Sequence, residues 1–369
     1  MPSLQEAVQS RLDESTITGT CATYTGTIDT TWCIGSVPQG GYSLSLILNA
    51  VLAFMRTPEV ASTDVRSVCH HDPLLLSATY IQAVAWTPFE VRIRVLKRGK
   101  SLSNIQADLY QDDQLRITTQ VLMTNFVLQK ESADKSRVGT DADDATQNGY
   151  TLTSRSQWAP SFPLCPPSAC KPAIYFDESI EAKGGKKFGF GKLLTTSSDP
   201  KHVECTLKGN TLTSGVYYTL TRHPPLSLPQ DKVKNGRLAE GINLIPFLAD
   251  MFLSPPMMIA GKHEPHWYPT LHLTIEFKRQ MPSKKIVDRS ATYSKGRFMI
   301  NGQHETDGEL WSHPDDANLF EGQQAAAHVV QAQGKASRVV GKSYILAIAR
   351  QTALVLPFAV NVNKTKAKL

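Results

Sequence analysis

Apolar positions along the chain form two kinds of run, and the two kinds recur in the same order twice. The first kind is YSLSLILNAVLAFM at 42–55, which contains neither Pro nor Gly and is apolar nearly all round, as a buried helix is. A glycine-rich turn, Pro38-Gln39-Gly40-Gly41, opens it. The second kind follows at 74–84, 89–99, 101–113 and 114–126, where segments alternate or are rich in β-branched and apolar residues. Arg-Gly and Asp-Asp pairs separate them as turns. In FEVRIRV, Phe89, Val91, Ile93 and Val95 share one face of a period-2 strand. The first half therefore reads as one buried helix followed by an antiparallel meander.

The second half repeats the order. GRLAEGINLIPFLADMFLS at 236–254 is the helix candidate, and 269–281, 288–300, 304–312 and 343–357 are the strands. Asn301-Gly302 and Asp307-Gly308 stand where hairpin turns are expected. LILNAVLAF resembles PFLADMFLS in pattern, and TTQVLMTNF resembles ARQTALVLP. A helix with strands that must cover it gives an α+β architecture of two duplicated units. The predicted boundaries are 1–130 for the first unit, 131–160 for a polar, charged linker and 161–360 for the second unit. The second unit carries an insertion at 312–342, read as a lid, a partner surface or passive decoration, and 361–369 form a tail. Weak strand signals also occur at HVECTL (202–207) and GVYYTL (215–220).

Composition narrows the classes. The 369 residues carry a formal charge of +6, which excludes the strongly basic signature of a dedicated nucleic-acid binder. Six cysteines without a CxxC pair are too few for a disulfide scaffold. The N-terminal MPSLQEAVQSRLDE lacks the basic-then-apolar order of a signal peptide, and the apolar run at 44–55 is too short for a membrane span. A soluble protein of a reducing compartment is expected.

Several motifs fail on inspection. There is no GxSxG nucleophile elbow. GGKKFGFGKLL at 184–194 imitates a phosphate loop, but its spacing is wrong and a leucine stands where Ser or Thr must hold magnesium. His263-Glu264-Pro265-His266 offers too few ligands, and its proline opposes a helical HExxH, so neither a metal nor another cofactor is expected. His70-His71-Asp72-Pro73 reads as a turn before a strand.

Chemistry points elsewhere. Asp250 interrupts the apolar second helix, where an unpaired carboxylate costs several kcal/mol and so needs partners or a raised pKa. Thr270 begins the next strand, and Gln351 lies in the last. Converging on the helix flank, the three could hydrolyse a substrate with water as nucleophile, Asp250 as base and the other two orienting the water. They could equally serve structure: Asp250 capping a kink near Pro246, Thr270 satisfying a strand end and Gln351 facing solvent.

The combination of PQGGY before a buried helix with LADMF, PTLHLTIEF and ARQTALVLP resembles the type II (TesB-like) acyl-CoA thioesterases, from about residue 19 to 357. The resemblance implies a tandem double hotdog, two antiparallel sheets each wrapped on a central helix. It also implies hydrolysis of acyl-CoA to free acid and CoA, with Asp250, Thr270 and Gln351 holding the water. Aligning the halves places Asn49 opposite Asp250, Leu76 opposite Thr270 and Gln120 opposite Gln351, so only the second half is expected to be competent. Gly40 and Gly41 either offer N–H groups to a substrate carbonyl or phosphate, or simply make a tight turn. Trp32, Tyr42 and Trp267 are candidates for an acyl tunnel or plain core.

The terminal Ala367-Lys368-Leu369 is a close variant of the Ser-Lys-Leu peroxisomal address. Peroxisomal import through its receptor is therefore expected, with the cytoplasm as the alternative, and a homo-oligomer is left open. The competing functions are non-hydrolytic chemistry on the same scaffold (dehydration, isomerisation or cyclisation of a polyketide-like or acyl substrate) and non-catalytic acyl-CoA binding.

Overall fold

The computed structural model describes residues 1–61, 70–127, 161–173, 189–220, 241–259, 266–282, 287–320, 343–357 and 360. The predicted linker, the Lys-rich start of the GGKK segment, 321–342 of the insertion and the tail with Ala367-Lys368-Leu369 lie outside the described residues.

Each half builds a five-stranded antiparallel ladder. The first consists of β1 (Cys21–Thr27), helix α2 (Gly40–Phe54), β2 (Asp72–Tyr80), β3 (Pro88–Arg98), β4 (Ser103–Gln111) and β5 (Gln114–Thr124), after an N-terminal helical turn α1 (Leu4–Ala7). The second, preceded by an additional strand β6 (Leu194–Ser198) and by α3 (Pro200–Leu207), consists of β7 (Leu212–Leu220), α4 (Leu244–Ala249), α5 (Pro255–Met258), β8 (Thr270–Phe277), β9 (Arg289–Gly296), β10 (Gln303–Ser312) and β11 (Ile345–Leu354). The spatial order is β1-β3-β4-β5-β2 in one half and β7-β9-β10-β11-β8 in the other, which is the same topology. The predicted duplication is present, and each unit begins with a strand before its helix.

The two sheets are not separate. β2 pairs antiparallel with β8, Leu76 opposite Ile275 and Ala78 opposite Leu273, so the ladders fuse edge to edge into one sheet. Fusion leaves neither central edge with unpaired backbone groups. Helix α2 lies against this sheet with thirteen of its fifteen residues buried, as an all-round apolar run requires. The predicted face of β3 is confirmed: Phe89, Val91 and Ile93 are at most 3% exposed.

Four local expectations change. The second helix is far shorter than its apolar run: α4 stops at Ala249, Asp250 is its C-cap, and a new turn α5 starts at Pro255. Ser254, preceding that proline, is extended (ψ 152°), as the clash with a proline ring dictates. HVECTL is helix rather than strand, because Asp199 caps it through the Lys201 N–H and Pro200 occupies its first position. Asp307-Gly308 lies inside β10 and makes no turn. Gly308 is there because a Cβ would stand 2.0 Å from the Phe252 ring. Asn301-Gly302 does turn, with φ of 52° and 71°, and so does Asp112-Asp113, at 50° and 56°. The strand β10 ends at Ser312, so the first described residues of the predicted insertion are strand end and the 3-10 segment Pro314–Phe320.

Candidate active site

The site forms where α4 ends against the start of α2. Asp250 Oδ1 accepts the Thr270 hydroxyl at 2.7 Å and the Gln351 amide at 2.6 Å. Gln351 Nε2 also reaches Thr270 Oγ1 at 2.8 Å, closing a triangle. Asp250 Oδ2 accepts the Gly41 N–H at 3.0 Å. The three residues the sequence singled out are thus brought together from a helix end, the first residue of β8 and the middle of β11.

Electrostatics follow from this placement. A carboxylate at the C-terminus of its own helix is disfavoured, but Asp250 faces the N-terminus of α2, a fifteen-residue helix whose unpaired N–H groups carry positive partial charge. Burial nevertheless dominates and raises its pKa from 3.8 to about 6, against the Thr270, Gly41, Gln351 and Gly40 hydrogen bonds that lower it. Asp250 and Thr270 are half-buried as whole residues, whereas Gln351 is 5% exposed.

The glycines have a specific reason. A Cβ at Gly41 would stand 2.1 Å from the Pro246 carbonyl oxygen, and one at Gly40 would stand 2.8 Å from Asp250 Oδ2. They let α2 approach α4 and its acid closely. The Gly41 N–H is given to Asp250, whereas the sequence left open a substrate carbonyl or phosphate as its partner or a plain tight turn. Gln39 completes the clamp: its Oε1 accepts the Tyr42 N–H at 2.6 Å and its Nε2 donates to the Phe247 carbonyl at 3.2 Å. Tyr80, at the end of β2, donates to the Gly40 carbonyl at 2.9 Å beside Asp250. Gln39 and Tyr80 were not singled out from sequence. Gln39 sat in the quoted PQGGY motif, while nothing in the local pattern marks Tyr80.

The aromatic candidates divide. Trp32 is fully buried, stacked on Phe190 with centroids 6.2 Å apart and edge-on to Phe247 at 5.2 Å. Tyr42 is fully buried too, its hydroxyl donating to the Ala7 carbonyl at 3.0 Å. Both are core. Trp267 is half-buried in a short pairing with Leu356.

The first half does not repeat the site, but its counterparts differ from those expected. Matching β-bulges lie between Pro73 and Leu75 and between Thr270 and His272. On that register Pro73 corresponds to Thr270 and Val121 to Gln351. Leu76 and Gln120, the expected counterparts, are displaced; Gln120 is exposed on the other face, the consequence of a one-residue slip. Asn49, the residue aligned with Asp250 from sequence, is 3% exposed. Its Nδ2 donates to the Val8 carbonyl at 3.0 Å and its Oδ1 accepts from Asn243 at 3.1 Å, so the N-terminal segment fills the position. Among the described residues there is no cluster of His, Cys, Asp or Glu fit for a metal, and no helix is long and apolar enough to cross a membrane.

Comparison with known proteins agrees with the topology. Residues 28–126 match the model of the acyl-CoA thioesterase N-terminal domain. The match covers about a quarter of the chain, and the chain as a whole has the double-hotdog fold. The structure is similar to a protein designated thioesterase II from Thermobifida fusca (TM-score 0.59, 16% identity, 96% of this chain and 98% of that one). It is also similar to a hot dog fold protein of unknown function from Alicyclobacillus acidocaldarius (TM-score 0.57, 12% identity, 96% and 98% covered). A third is the acyl-CoA thioesterase II TesB2 from Mycobacterium marinum (TM-score 0.53, 13% identity, 95% and 96% covered). No curated protein sequence gives a significant match.

Proposed function

We propose that the chain hydrolyses acyl-CoA thioesters to the free acid and CoA, using Asp250 as general base. The observation that carries this reading is the closed triangle of Asp250, Thr270 and Gln351 on the N-terminus of α2. Thr270 and Gln351 orient a water beside Asp250. Asp250 takes a proton from that water as its oxygen attacks the thioester carbonyl carbon, giving a tetrahedral oxyanion. Collapse breaks the C–S bond, the thiolate of CoA leaves, and the proton on Asp250 returns to it. A carboxylate with a pKa near 6 suits this work better than one near 4, because it binds the proton more strongly yet is ionised at neutral pH.

The test is free-thiol release from a panel of acyl-CoA esters. Asp250→Asn, which keeps size but removes the base, is expected to lower kcat by roughly 10²- to 10⁴-fold, and Gln351→Ala to lower it less. No release at any chain length would overturn hydrolysis and leave the non-hydrolytic reading of the scaffold.

We also propose that Ala367-Lys368-Leu369 is read by the peroxisomal import receptor. A fluorescent fusion bearing the final nine residues should become punctate with a peroxisomal marker, and removing the last three should disperse it. Diffuse signal from both would place the protein in the cytoplasm.

A further inference from the structure

The inner face of β10 carries polar groups that the triangle does not use. His304 and Thr306 are two residues apart on that strand and so share a face; His304 is 3% exposed and Thr306 fully buried. That face is the one turned toward the site. Thr306 lies opposite Gln351 in the β10–β11 ladder, and Gly308, next on the same face, takes the Phe252 ring from the segment after Asp250. Among the described residues, neither ring nitrogen of His304 has a hydrogen-bond partner, nor does Thr306 Oγ1. Three orphaned polar atoms in one buried patch are costly, and a native structure keeps such a patch only when something else satisfies it.

The residue between His304 and the triangle is small. His304 lies opposite Ala353 on β11, and Ala353 lies opposite Thr270 on β8. The floor between the triangle and His304 is therefore a methyl group, two strand spacings wide, about 10 Å from Thr270 to His304. The Tyr268 ring closes the far side, edge-on to His304 at 5.8 Å.

We infer that His304 and Thr306 bind a neutral oxygen, a hydroxyl or keto group, on the first few carbons of the acyl chain, making them specificity determinants for oxygenated acyl thioesters. This rests on the proposed hydrolysis, because it places the thioester carbonyl at Asp250. Burial lowers the His304 pKa to about 4, so at neutral pH the imidazole offers one N–H donor and one bare nitrogen acceptor. Together with the Thr306 hydroxyl this set matches a hydroxyl, which both donates and accepts, or a keto oxygen, which accepts. A carboxylate is disfavoured, since the patch carries no positive charge and Asp250 shares its face. The pantetheine amides of CoA are neutral as well, but that arm must run outward to solvent, whereas His304 and Thr306 are buried.

The test compares 3-hydroxyacyl-CoA with the saturated acyl-CoA of equal length, for the wild type, Thr306→Val and His304→Leu. Thr306→Val is nearly isosteric and guards against a folding failure at His304. The wild type should favour the hydroxyacyl ester about tenfold in kcat/KM, roughly one hydrogen bond's worth, and each variant should erase most of that preference while sparing the saturated ester. Dissociation constants for both esters, measured by calorimetry with Asp250→Asn, read the same preference without turnover. Preference in binding with no hydrolysis in the wild type would overturn the hydrolytic reading alone. Equal wild-type preference would overturn the inference, and so would variants that weaken both esters equally, the result expected if pantetheine or only water occupies the patch.

Discussion

Asp250 and Gly41 meet across the duplication: the carboxylate from the second unit accepts the backbone N–H that opens the helix of the first, at 3.0 Å. The single site is thus built by both halves, although its three polar side chains all come from one. The arrangement explains why the glycine pair and the acid, more than two hundred residues apart, belong to one functional unit.

That contact predicts a split between two conservative substitutions. Gly41→Ala sets a methyl 2.1 Å from the Pro246 carbonyl oxygen, a rigid backbone atom, so α2 and α4 must separate. The expected cost is about 1–3 kcal/mol of stability, seen as a lower Tm along with reduced activity. Gly40→Ala instead meets the end of a side chain, Asp250 Oδ2 at 2.8 Å, with the Tyr80 hydroxyl at 3.1 Å. It should displace the acid at little cost to Tm, lowering kcat more than stability. Equal effects in thermal denaturation and in turnover would contradict this division.

The pH profile follows from the environment of Asp250. Burial raises its pKa to about 6, so the proton is retained to higher pH than in an exposed aspartate. The base is present above that value and lost below it. Log kcat/KM should be flat at neutral pH, bend near 6 and fall toward one unit per pH unit at lower pH. A profile of free-thiol release that stays flat to about pH 4.5 would show that Asp250 titrates as an ordinary carboxylate or is not the base.

Much of this was legible in the sequence because it rests on period and order. The apolar run at 42–55, the alternating segments and the three polar residues in buried settings all show in the pattern itself. What escaped depended on tertiary contact. The extent of α4 is limited by Asp250 and Pro255 within a continuous apolar run, and Gly308 looks like a turn residue until Phe252 is seen filling its place. The partner of Gln351 was misassigned because Gln120 offers the same residue type one position away, on the opposite face of the strand. Nor can a sequence show that two ladders will join through β2 and β8.

The other half of the duplication supplies the sharpest control. Asn49, aligned with Asp250 from sequence, is 3% exposed and donates its amide to the Val8 carbonyl. Asn49→Asp restores the acid but places a carboxylate oxygen against that carbonyl, while Pro73 and Val121 still lack the groups that orient water. It should gain no second site. Measured with Asp250→Asn in the same chain, free-thiol release should remain at the level of Asp250→Asn alone. It should also destabilise the fold by about 1–3 kcal/mol at neutral pH, because a buried donor has been exchanged for an unpaired charge. The sign of its pH dependence is fixed by the same burial. Desolvation raises the folded-state pKa of the introduced carboxyl above its unfolded value, so the folded form binds the proton more tightly and the deficit shrinks as pH falls toward the unfolded pKa. The gap in Tm between wild type and Asn49→Asp should narrow on going from pH 7 to about pH 5. A gap that is constant or widens would mean that Asn49 is neither as buried nor as tightly bound to the N-terminal segment as the structure shows.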